Sequence, residues 1–81
     1  VTNEQIRLYA IARVVVPAGI RLRTFGEPAA GGVLYTLVLE DEDERRWLAI
    51  HSNVLHDGKI PDRTIAIETE RALRRQPARA G

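Results

Sequence analysis

Residues 33–40 and 45–52 are two runs of alternating apolar side chains separated by the acidic stretch Asp41-Glu42-Asp43-Glu44, and together they read as a β-hairpin. This pair constrains the fold more than any other feature of the sequence. A loop of two or four residues gives the same pairing parity. Val38 then lies opposite Trp47, Thr36 lies opposite Ala49, and a Glu40–Arg45 pair closes the hairpin. Val33, Tyr35, Leu37 and Leu39 share a face with Leu48 and Ile50, which is the expected core. The opposite face holds Leu34, Thr36, Val38, Trp47, Ala49 and His51. A sheet with one solvated side normally alternates apolar with polar, so this second apolar side needs a cover. Either another part of the chain packs there, or the face is an association surface. Leu34, Val38 and Trp47 are the candidate interface residues, because tryptophan is enriched at interface centres.

Upstream, Ile6, Leu8, Ala10, Ala12, Val14 and Val16 recur at period two, the strand signature. Thr2 and Gln5 have the spacing of a helical capping box, but three successive valines favour a strand over a helix. Pro17-Ala18-Gly19 then reads as a three-residue hairpin loop with Gly19 in the left-handed region. That register sets Val16 opposite Ile20, Val14 opposite Leu22 and Ala12 opposite Thr24. It also places Arg13 opposite Arg23 on an outer face shared with Arg7 and Arg21. Such an arginine stripe, with Tyr9 interleaved and Phe25 nearby, is a candidate surface for single-stranded nucleic acid. Its alternative is a solvated face or pairing with the acidic loop of a neighbour. Residues 26–32, Gly-Glu-Pro-Ala-Ala-Gly-Gly, read as a loop between the two hairpins.

Beyond Ser52 the pattern weakens. Val54-Leu55 extends the sheet, Asp57-Gly58 is a turn, and residues 62–67 fit strand or helix. Residues 68–76 read as a helix, with acids early, arginines late and Glu70 and Arg74 four apart. Pro77 ends it, and residues 77–81 read as a disordered tail after a single small domain at 1–76.

The chain of 81 residues has no cysteine, so disulfides and thiolate metal sites are excluded. A core this small supplies only about 3–5 kcal/mol without help, which favours self-association. Net charge is +1, well short of the basic excess of a dedicated nucleic-acid binder. Eleven arginines against one lysine, with ten alanines, read as the composition of a GC-rich bacterial genome. No run approaches the roughly 20 apolar residues of a membrane span, so the expected setting is cytoplasmic. His51, His56 and Asp57 do not have the spacing of a metal site. His51 and Ser52, adjacent on a strand, point to opposite faces and cannot form a nucleophile–base pair. No catalytic set, cofactor site or metal site is expected.

The fold expected is mainly β (α+β): a small antiparallel sheet, or an SH3-like or Sm-like barrel of four to five strands, with a short C-terminal helix. The expected function is a non-catalytic protein–protein interaction or oligomerisation module, acting as a homo-oligomer or accessory subunit. The alternative is a small nucleic-acid-binding protein using Arg7, Arg13, Arg21 and Arg23.

Overall fold

The computed structural model describes residues 1–77. Helix α1 (Asn3–Val15) leads into strands β1 (Arg21–Ala29), β2 (Gly32–Glu40) and β3 (Arg46–Leu55), and helix α2 (Asp62–Arg74) follows. The strands form an open antiparallel sheet in the order β1-β2-β3. The α+β class is as expected, but among the described residues there are three strands rather than four or five, and no barrel. Both helices pack on one side of the sheet. Leu8 and Ala12 of α1 and Ile65 and Ala72 of α2 share a single core with Leu22, Tyr35, Leu37, Leu39 and Ile50.

The first element is a helix where the period-two reading favoured a strand. The apolar residues between Ile6 and Val16 also satisfy a helical period, because Leu8, Ile11, Ala12, Val15 and Val16 recur at i, i+3, i+4, i+7 and i+8. The capping box decides the matter. Thr2 Oγ1 accepts from the Gln5 backbone N–H at 3.2 Å, and Gln5 Oε1 accepts from the Thr2 N–H at 2.8 Å. Each valine costs a helix only a few tenths of a kcal/mol. Burying Leu8 alone contributes about 1.5–3 kcal/mol. The first expected hairpin and its Arg13–Arg23 pairing are therefore absent. Pro17-Ala18-Gly19 instead links α1 to β1, and Gly19 does take a positive φ of 95°.

The stretch read as a loop at 26–32 is mostly strand. Gly26 to Ala29 pair with Tyr35 to Gly32, and Ala30-Gly31 is the turn. Composition misled because Pro28 lies on an edge strand, where a missing N–H costs nothing.

The second hairpin forms, with a different register at its acidic end. Five residues, 41–45, separate the strands, so Glu40 pairs with Arg46, Leu39 with Trp47 and Val38 with Leu48. A bulge then inserts Ala49, and Leu37 faces Ile50. The odd loop turns Trp47 inward and Leu48 outward, and the bulge restores Ile50 to the core. Thr36 accordingly faces His51 rather than Ala49.

Helix α2 begins at Asp62, six residues earlier than the expected start, and Pro61 is its N-cap. Ile65, Thr69 and Ala72 form its buried stripe. The Thr69 hydroxyl donates to the Ile65 carbonyl at 2.7 Å, which satisfies a polar group with no solvent access. Residues 78–81, most of the expected tail, lie outside the described residues. No helix among the described residues is long and apolar enough to cross a membrane.

Candidate functional site

Trp47 is covered from within the chain. Its side chain lies on the helical side of the sheet, and its indole Nε1 donates to the Ala72 carbonyl at 2.8 Å. That carbonyl belongs to the last turn of α2, where it also accepts from the Arg75 backbone N–H at 3.0 Å. Trp47 is thus separated from Leu34 and Val38, which stay on the opposite face. The expected pairing put the three together because it assumed an even loop.

The opposite face of the sheet is bare. Its central rows are Arg23, Val38 and Leu48; Phe25, Thr36 and His51; and Glu27, Leu34 and Asn53. Phe25 is 45% exposed and Leu48 49% exposed, with Leu34, Thr36 and Val38 half-buried between them. Thr36 Oγ1 and His51 Nδ1 are 3.2 Å apart across the strands. The Arg23 guanidinium lies 5.4 Å from the Phe25 ring centroid, a cation–π contact. Ser52 falls on the inner face opposite Tyr35, so it is separated from His51 as the strand alternation requires. Among the described residues, no three histidine, aspartate or glutamate side chains are placed to share a metal ion.

Beyond the Val38 row, Arg21, Glu40 and Arg46 pair across all three strands. Glu40 is nearly buried, with Oε1 2.7 Å from Arg21 and Oε2 2.5 Å from Arg46. These residues line a cleft of about 460 Å³ with Tyr9, Arg13, Leu22 and Arg23. Three members of the expected stripe, Arg13, Arg21 and Arg23, therefore do come together, but from a helix and a strand. Arg13 is tied to backbone carbonyls, at 3.1 Å to Ile20, 2.8 Å to Val16 and 2.9 Å to Pro17. It holds the α1–β1 connection while its charge faces the cleft.

Arg7, the fourth member, lies elsewhere. On α1 it bonds the Glu4 carboxylate at 2.8 and 2.9 Å, and also reaches Asp62 and the Ile60 carbonyl. Glu4 Oε2 accepts from the Ile60 backbone N–H at 3.0 Å. Arg7 and Glu4 together clamp the entry to α2 onto α1. Hydrogen bonds from Arg7 hold the Glu4 carboxyl below its ordinary value of 4.5; burial opposes this, and the Ile60 N–H adds to it.

A carboxylate depressed in this way stabilises the fold above its unfolded pKa, and that contribution is lost as pH falls through the folded value. Glu4→Gln is expected to cost about 1–2 kcal/mol at pH 7. The two proteins should converge in stability as pH falls well below about 4.5. Urea titrations at pH 7 and in acid check this. A constant difference at both would show that charge on Glu4 is not what holds the clamp.

The acidic loop is more ordered than a solvated tip. The expected Glu40–Arg45 pair is replaced by Asp41–Arg45, with Arg45 Nη2 2.8 Å from Asp41 Oδ2. Burial pushes the Asp41 carboxyl up, but the backbone N–H and guanidinium of Arg45 outweigh it and hold it below the ordinary range. Asp41 Oδ1 also accepts from the Asp43 and Arg45 backbone N–H groups at 2.9 and 3.0 Å. Glu44 takes φ 62° to close the turn.

Arg46 is a site residue that the sequence did not single out, and Leu48, expected in the core, is on the bare face instead. Both depend on the odd loop, and only the Asp41–Arg45 spacing of four hinted at a self-closing turn. No family model, curated protein or solved structure matches the chain.

Proposed function

We propose that this protein is a non-catalytic interaction module that self-associates through the bare face of its sheet. The observation that carries this reading is the exposure of Phe25 and Leu48 beside half-buried Leu34 and Val38, opposite the face on which both helices pack. An apolar sheet face in water is a sheet packing surface without its second layer. The face is also self-complementary. A two-fold axis along the row Phe25, Thr36 and His51 inverts the strands, setting Arg23 against the second copy's Glu27 and Val38 against its Leu34. Such reciprocity is what an isologous dimer requires.

The face is narrow, since three strands span only about 15 Å. A standard interface buries about 800 Å² per partner. Association is therefore expected to be concentration-dependent, in the micromolar range, rather than permanent.

Sedimentation across a concentration series tests the reading. Val38→Glu sets a carboxylate against the second copy's Leu34 and should leave a folded monomer at every concentration. Phe25→Ser should raise the dissociation constant by about tenfold or more. A wild-type protein that stays monomeric at millimolar concentration would overturn self-association.

A further inference from the structure

We infer that the cleft lined by Tyr9, Arg13, Arg21, Arg23 and Arg46 is a binding site for the phosphate group of a nucleotide. Four guanidiniums surround one carboxylate, Glu40, and among the described residues no other acid lines the cleft. Among the described residues Glu40 engages only Arg21 and Arg46. Three Arg13 N–H groups go to carbonyls, and Arg23 rests on Phe25 with no carboxylate contact inside its own chain among the described residues. The cleft thus holds cations in excess of its own counter-charge. Placing like charges together is unfavourable unless an anion enters. Guanidinium is the group best shaped for that anion, because its planar fork gives paired hydrogen bonds to phosphate oxygens.

The size of the cleft, about 460 Å³, is that of a small-ligand site rather than of a lone ion. Tyr9, 42% exposed, supplies its one aromatic wall, and a ring on which a base can stack completes nucleotide recognition. The Tyr9 and Arg13 positions follow from the helix, since residues four apart on α1 lie on one face. Arg21 and Arg23 follow from the alternation of β1, and Arg46 from its pairing with Glu40. The same chemistry is offered by a free mononucleotide and by a single strand of nucleic acid.

Glu40 gives the test opposite signs. It is the internal competitor for the arginines, so Glu40→Gln should tighten binding, whereas Arg23→Ala should weaken it by about tenfold. Arg63→Ala, which removes equal charge on α2 outside the cleft, should change affinity little. Calorimetric titration at about 50 mM salt uses adenosine monophosphate, inorganic phosphate and an eight-nucleotide oligothymidylate as separate probes. Circular dichroism confirms that each variant is folded. Saturable binding of either nucleotide probe, with Arg23→Ala weaker and Glu40→Gln tighter, supports the site. Preference for the monophosphate identifies a free nucleotide, and preference for the oligonucleotide, with a steep salt slope, identifies a single strand. Binding of inorganic phosphate as tightly as either nucleotide would overturn the role of Tyr9 and the nucleotide assignment. No binding of any probe, or equal losses in Arg23→Ala and Arg63→Ala, would overturn the site.

Discussion

Gly32→Ala is expected to destabilise the protein by about 3 kcal/mol or more, at the upper end of what forced overpacking costs. A Cβ built at Gly32 falls 2.0 Å from the Val54 carbonyl oxygen and 2.8 Å from the Leu55 Cα. Both obstacles are backbone, so no rotamer change relieves them. The end of β3 must then separate from β2, losing the Gly32–Leu55 and Val33–Val54 pairs. Net stability of small domains is only about 0.05–0.15 kcal/mol per residue, so such a loss is a large share of the total. Gly31→Ala is the informative control. Its positive φ of 75° strains an alanine, but the nearest atom is the tip of a flexible leucine at 3.4 Å, and about 1 kcal/mol is expected. Urea denaturation of the two variants measures the difference. Equal losses at the two positions would mean that the strands are farther apart at this end than described.

Trp47→Ala is expected to cost about 3–5 kcal/mol, the range for removing a large aromatic side chain from a core, and to do so whatever the state of association. The indole packs against the core and donates to the Ala72 carbonyl at 2.8 Å. Truncation leaves a cavity and removes one of the two donors to the Ala72 carbonyl, which keeps the Arg75 N–H at 3.0 Å. The loss should appear first in α2, as reduced helical signal and faster amide exchange between Ile65 and Arg74. Trp47→Phe separates the two contributions, since it keeps most of the packing and removes only the donor; about 1 kcal/mol is expected from that alone. Hydrogen exchange and chemical denaturation check both. A Trp47→Ala protein with native stability and a lower sedimentation coefficient would return Trp47 to the bare face and exchange the two sides of the sheet.

How far the sequence could be read depended on whether two periods competed. In β2 they did not: Val33, Tyr35, Leu37 and Leu39 alternate strictly, and their side is the core side expected, although the helices cover that side and not the opposite one. Between Ile6 and Val16 nearly every residue is apolar or small, so both periods fit. The strand preference of three valines was then weighed against a capping box whose two hydrogen bonds are formed. For β3 the error was parity. Loop length cannot be counted from composition when the loop continues into its own ion pair, and Arg45 belongs to Asp41 rather than to the strand. The bulge at Ala49 is invisible to alternation, because the extra residue leaves two successive side chains, Ala49 and Ile50, buried. Of the candidate site residues, Leu34 and Val38 kept their face because β2 was read correctly. Trp47 changed sides with the register. Arg13, Arg21 and Arg23 met in one cleft for a reason unrelated to the hairpin that first grouped them.

The clamp between Glu4, Arg7, Ile60 and Asp62 also bears on how the chain reaches this state. Every strand is paired with its neighbour in sequence, so the sheet closes through short turns. The Arg7–Asp62 contact, by contrast, joins residues 55 apart. Loop-closure entropy disfavours such a long circuit until the hairpins have shortened it. The clamp is therefore expected to form on the descent from the transition state rather than on the climb. Weakening it, as in Glu4→Gln, changes how long the native protein survives rather than how quickly it forms, and shows as faster unfolding with the folding limb of the chevron unchanged.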